Sequence, residues 1–177
     1  MSSHDIYILY SKMCRYLVIL YNTQELPKNP RVETKRKVPQ ILDWVNYTEK
    51  RSIGDLLSEN REYGLRTGTK IGNYWFCCLD IDNKGWVKIC EYLSYVKTKR
   101  GIHVYFLIKK LPKNSILYYQ NKRIGDLLGK GKQVIGIGSN HVSGITYELV
   151  KRGKWFWKFE SVEELREKLR KWGVELR

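Results

Sequence analysis

The chain has 177 residues, 42% of them hydrophobic, and carries 33 Lys and Arg against 18 Asp and Glu, a formal charge of +15. That length accommodates one domain, residues 1–177, with a real core and leaves no room within it for a second catalytic domain. The basic surplus favours polyanionic partners, nucleic acid or nucleotides, and no basic amphipathic helix with a large apolar face argues for a membrane.

In chain order, residues 6–21 mix aromatic and β-branched types and predict one or two strands. Their longest apolar run, 16–21, is too short to span a bilayer or to act as a signal, so a cytoplasmic location is expected. Residues 23–39 gather three of the four prolines and many charges, which predicts a long exposed loop and a candidate substrate contact. Ser52 as N-cap and Gly64 as terminator predict a helix over 52–64. Then follow a turn and strand over 64–82, a helix over 85–96, and a turn and strand over 97–111.

The pentapeptide IGDLL occurs twice, at 53–57 and at 124–128. The second copy runs into Gly-Lys-Gly-Lys, which forces a turn and favours a strand, so Asp55 and Asp126 are not equivalent. Further strands are expected at 133–138 and 144–150. Residues 161–173 give the clearest helix: Ser161 and Glu164 form a capping box, Val162, Leu165, Leu169 and Trp172 form an apolar stripe, and Gly173 ends it. Strands and helices alternating without a repeat predict an α+β or α/β sheet with helices on one face. The cysteines, Cys14, Cys77, Cys78 and Cys90, have no C-x-x-C spacing, which argues against a structural zinc site; Cys77 and Cys78 read as core-filling residues.

The chemistry concentrates where the apolar strand ends in Leu-Asp-Ile-Asp. Residues two apart on a strand share a face, so Asp80 and Asp82 stand side by side, a costly pairing unless a cation neutralises it. Their oxygens suit Mg²⁺ or Mn²⁺; the plainer alternative is that they cap the following turn. His103 opens an alternating strand just after Lys99, Arg100 and Gly101, and either contacts phosphate or serves the structure. The loop with Ser139, Asn140 and His141 offers phosphate donors or is a plain polar turn. Tyr118, Tyr119, Trp155 and Trp157 lie beside cations and either stack on bases or, in the KWFWKF segment, belong to an edge strand with one face in the core.

The order of GLRTG, LDID, TKRGIHVYF and IGDLLGKGKQVIGIGSNHVSG resembles the primase-polymerase domain of the archaeo-eukaryotic primase superfamily, of the type found in replication proteins of archaeal plasmids and viruses. The resemblance runs from about Trp44 to Leu149. It implies an α+β domain with a mixed or antiparallel sheet, an RRM-like catalytic core and flanking helices. It also implies that Asp80, Asp82 and Asp126 are catalytic and hold two Mg²⁺ or Mn²⁺ ions, and that Arg100, His103, Ser139 and His141 bind the incoming nucleotide. Three features depart from the family pattern: Arg100 replaces the first of two glycines, Ile137 stands where proline is common, and Gly125 replaces a larger apolar residue. No residues for the zinc insertion of some relatives are present, nor the helicase that often follows, so the expectation is a minimal domain or the N-terminal part of something longer.

The function so implied is a DNA primase/polymerase, transferring nucleotides from nucleoside triphosphates on a single-stranded DNA template, with a helicase or another replication protein as a further partner. The alternative is a non-catalytic accessory subunit or single-strand-binding module. A rolling-circle nuclease is disfavoured, because His4, His103 and His141 form no His-hydrophobic-His pair.

Overall fold

The computed structural model describes residues 17–19, 55, 58, 63–83, 86, 93–140, 144–150 and 156–177. Its first six strands are β1 (Leu17–Ile19), β2 (Tyr63–Arg66), β3 (Thr69–Ile71), β4 (Tyr74–Ile81), β5 (Tyr95–Lys97) and β6 (Ile102–Ile108). The rest are β7 (Ser115–Tyr119), β8 (Lys122–Leu128), β9 (Gln133–Ile135), β10 (Glu148–Val150), β11 (Trp157–Phe159) and β12 (Val174–Leu176), with one helix, α1 (Val162–Arg170), between the last two. The architecture is sheet-rich α+β.

Two compact units divide the chain. The first, Met1–Arg66 with Gln133–Tyr147, holds an antiparallel sheet in the order β1-β2-β9, with Leu17 opposite Leu65 and Gly64 opposite Ile135. Tyr63 is buried there, and its hydroxyl donates to the Ile137 carbonyl at 2.6 Å.

The second unit, Thr67–Lys132 with Glu148–Arg177, holds a nine-stranded sheet in the order β10-β5-β6-β4-β8-β7-β12. β3 pairs with β4, and β11 joins β6 in the one parallel pairing among the described strands. Tight turns fix the register. Gln120 and Asn121, both at positive φ (48° and 61°), form the two-residue link between β7 and β8 that a right-twisted hairpin requires.

β4 lies at the centre because its run YWFCCLDI is apolar on both faces for most of its length, as a strand covered on both sides must be. One face sends Cys77, Leu79 and Ile81 into a core with Ile102, Val104, Phe106 and Ile108 of β6, closed by Leu165 and Leu169 of α1. Burying each Leu or Ile contributes about 1.5–3 kcal/mol. α1 is held at its start by the Ser161 hydroxyl, which accepts the Glu164 N–H at 3.1 Å, while Glu164 accepts the Glu160 N–H at 2.7 Å. Glu163 and Glu164 in its first turn and Lys168 and Arg170 in its last both complement the helix dipole.

Two predicted helices are corrected at their C-terminal ends; within them, residues 52–54, 56–57, 59–62, 85 and 87–92 lie outside the described residues. Asp55 and Ser58 are helical, and the Ser58 hydroxyl donates to the Asp55 carbonyl at 2.8 Å, but Tyr63 and Gly64 belong to β2. In the predicted helix 85–96, the Trp86 N–H closes a turn onto the Asn83 carbonyl at 3.2 Å, whereas Tyr95 and Val96 lie in β5. Val96 is opposite His103 and Leu149 opposite Val96, so pairing with distant segments overrides the local helical pattern. Among the described residues, the flanking helices expected from sequence are represented by α1 and by the helical Asp55 and Ser58; the loop 23–39, Cys14 and Cys90 lie outside the described residues.

Cys77 and Cys78 are buried free thiols, and burial pushes Cys77 up to about 12. Trp157 stacks on Trp172 at 5.3 Å and 12° while Phe159 is buried, so β11 of the KWFWKF segment packs inward; Trp155 lies outside the described residues.

Candidate functional site

The face of the central sheet opposite the α1-covered core is apolar along Phe76, Cys78, Tyr105 and Leu107 and then turns charged. The register sets the next row: Asp80 on β4 lies directly opposite His103 on β6 and directly opposite Asp126 on β8. Residues directly opposite in an antiparallel pair share a face, with Cα atoms about 4.5–5.5 Å apart. Asp82 lies two residues beyond Asp80, and its N–H still donates to the Ile124 carbonyl at 2.9 Å, extending the β4–β8 ladder past the end of β4. Three carboxylates and a histidine are therefore placed at one end of the central strands.

Two glycines make this alignment possible. A Cβ at Gly101 would fall on the Ile81 carbonyl oxygen and the Asn83 amide, and one at Gly125 on the Asp80 carbonyl oxygen. The turn before β6 and the strand β8 can thus approach the end of β4 only without side chains at these points. This gives a physical reason for Gly125 in place of a larger residue. The turn itself closes reciprocally: the Thr98 N–H donates to the Gly101 carbonyl at 3.0 Å, and the Gly101 N–H donates to the Thr98 hydroxyl at 3.0 Å.

Like charges directly opposite one another are unfavourable, and each member of the Asp80/Asp126 pair leans on a different neighbour. His103, with 6% of its side chain exposed, places Nε2 3.4 Å from Asp80 Oδ1. Arg123 places Nη2 2.6 Å from Asp126 Oδ2. A regular strand would send residues 123 and 126 to opposite faces. Here the β7–β8 register jumps from Leu117 opposite Gly125 to Tyr118 opposite Arg123, so Ile124 is an extra residue that turns Arg123 back towards Asp126. The hydrogen bond and charge of Asp126 raise the Arg123 pKa, and Asp82 acts in the same direction. Burial, with the Asp80 carboxylate two residues along the same face, pushes the Cys78 thiol up.

The donor set of Asp80, Asp82 and Asp126 is oxygen-only on the carboxylate side and suits a hard divalent cation, and a guanidinium already occupies Asp126 as a stand-in cation. As the side chains stand, no three His, Cys, Asp or Glu among the described residues surround a common point closely enough to hold a metal ion. Asp80 is turned to His103 and Asp126 to Arg123.

Of the expected nucleotide-binding residues, Arg100 is exposed on the turn that leads to His103. Ser139, in the first unit, is 1% exposed; its hydroxyl accepts the Tyr63 N–H at 3.2 Å and donates to the Tyr63 carbonyl at 3.3 Å, so it ties β2 in place. Its neighbour Asn140 accepts from the Thr146 hydroxyl at 2.8 Å. His141 lies outside the described residues. Arg123 escaped the sequence reading, because its spacing from Asp126 looks wrong for one face; a glycine beside the acid, Gly125, was the available sign of a bulge.

A family model described as bifunctional DNA primase/polymerase, N-terminal, matches residues 20–167. No curated protein matches the chain. The family match covers most of the chain and includes Asp80, Asp82, His103, Arg123 and Asp126, so the chain belongs to the bifunctional DNA primase/polymerase N-terminal (Prim-Pol) family.

Proposed function

We propose that the chain is a nucleotidyltransferase that makes or extends primers on a single-stranded DNA template, joining a 3′-hydroxyl to the α-phosphate of a nucleoside triphosphate with release of pyrophosphate. The observation that carries this reading is Asp80 aligned between Asp126 and His103 on three adjacent strands, inside a Prim-Pol family match.

Asp80, Asp82 and Asp126 would hold two Mg²⁺ or Mn²⁺ ions once the Asp126 carboxylate leaves Arg123. Bound there, such ions supply a lowered pKa at the attacking hydroxyl and charge neutralisation at the leaving pyrophosphate. His103 is buried beside Asp80 and fixed by β6, so its ring serves to position the triphosphate with little reorganisation. Arg100, exposed on the preceding turn, adds a mobile charge for the phosphates. The basic surplus of the chain favours the template backbone. A helicase or another replication protein fits as partner, and an RRM-like core fits the antiparallel sheet.

The test is incorporation of labelled nucleotide on single-stranded DNA with Mg²⁺ or Mn²⁺, with and without primer, comparing the native chain with Asp80→Asn. Metal-dependent synthesis reduced about 100-fold or more by the substitution supports the reading, by the usual weight of a group that stabilises transition-state charge. No synthesis in either metal, with template binding retained, would replace it by the accessory-module alternative.

A further inference from the structure

The bulge at Ile124 has a specific product: it aims Arg123 at the acid row. The guanidinium, 58% exposed, hydrogen-bonds Asp126, whose side chain is 32% exposed, and the field of Asp82 reaches it as well. Arg123 therefore sits in the mouth of the carboxylate cluster, facing the acids that stand nearest the end of β4. An ion that ligates Asp126 through Oδ2 competes with Arg123 for that oxygen, and at Oδ1 it meets the guanidinium's charge close by. Because the guanidinium is open to water, it can withdraw without breaking the core.

We infer that Arg123 is a resident counter-cation of the acid row, competing with divalent ions for Asp126 and thereby setting the ion affinity of the site. The inference rests on the reading above, that the row holds divalent ions. Arg123 is in this sense a positioning residue: with no ion present it holds the Asp126 carboxylate turned to one side and relieves its repulsion from Asp80. Ion binding exchanges one cation for another at Asp126. The site fills only when divalent ions are abundant enough to displace the guanidinium.

The experiment is a Mn²⁺ titration of the 177-residue chain without nucleotide, following free Mn²⁺ by electron paramagnetic resonance, for the native chain and for Arg123→Gln, Arg123→Lys and Asp80→Asn. Arg123→Gln should bind Mn²⁺ about 3–10-fold tighter, the scale of one neighbouring charge in a partly exposed site. Arg123→Lys keeps the charge and should stay within about twofold of the native chain, a distinction that a purely structural role for the side chain would not produce. Asp80→Asn should weaken binding about 10-fold or more. If Asp80→Asn abolishes binding while Arg123→Gln binds no tighter than the native chain, the role given to Arg123 is wrong and the ion site survives. If neither the native chain nor Arg123→Gln binds Mn²⁺, the ion site itself is wrong, and the role of Arg123 falls with it.

Discussion

Gly101 and Ile81 meet backbone to backbone, with the position of a Gly101 Cβ occupied by the Ile81 carbonyl oxygen. This contact presses the turn that delivers His103 against the end of the strand that delivers Asp80. Gly101→Ala should therefore push β6 away from β4 at the site, destabilising the fold by about 1–3 kcal/mol, the usual range for overpacking. The same change should lower nucleotide incorporation out of proportion to the lost stability, since the His103–Asp80 alignment depends on the contact. Urea unfolding and turnover of the folded fraction check the two parts. Native stability in the variant would show that the turn relaxes freely.

Ser139 offers a test of opposite sign. Its hydroxyl is buried and bonded both ways to the Tyr63 backbone. Ser139→Ala removes both bonds in a buried setting and should cost about 1–3 kcal/mol, while the KM for nucleoside triphosphate stays within about twofold of native. A raised KM with unchanged stability would return Ser139 to the phosphate-binding role that its place in the family motif implies.

What was legible in the sequence came from apolar runs, regular periodicity and clear punctuation. Residues 64–82 and 97–111 each read as a turn and strand, the second IGDLL copy as strand β8, and residues 161–173 as a capped helix. The acid pair was visible for the same reason, because strand periodicity places Asp80 and Asp82 on one face. What failed had competing periodicities. Tyr95 and Val96 fit a helical stripe locally, and only pairing with β6 and β10, far away in the chain, makes them a strand. Arg123 failed differently: a one-residue bulge reverses which face a side chain takes, and from sequence alone a bulge leaves little more than a glycine.

Binding of the single-stranded template should be governed by the charge surplus. Release of counterions from a single strand gives a slope of about −0.7 per phosphate neutralised in a plot of log K against log salt. For contacts to about four phosphates, affinity should fall about 50-fold between roughly 50 and 200 mM NaCl. Fluorescence anisotropy with a labelled oligonucleotide measures the slope, and a value near zero would remove the phosphate backbone as the main source of affinity.

The last prediction concerns how β11 is fastened to β6, the strand that carries His103. Beyond their parallel pairing, the Lys109 N–H donates to the Phe159 carbonyl at 3.1 Å, and Lys109 Nζ lies 2.5 Å from Glu160 Oε2. The Tyr74 hydroxyl reaches the other Glu160 oxygen at 3.3 Å. The Lys109 hydrogen bond holds the Glu160 carboxyl below its ordinary value of 4.5 against the opposing effect of desolvation, and the Lys109 charge and the Tyr74 hydrogen bond add smaller lowering effects. A folded-state pKa below the unfolded one means that this contribution is fully present above the ordinary value and is lost as pH falls through the lowered one. Both groups are largely exposed, so water and salt screen the pair and the effect is small. The native chain should melt slightly above Glu160→Gln near neutral pH, and the difference should shrink as the pH is taken below 4.5 and disappear once Glu160 is protonated. Added salt should narrow it at neutral pH. Thermal melts of the two proteins across this range check the sign, and a difference that grows on acidification would mean that Glu160 acts through something other than its charge.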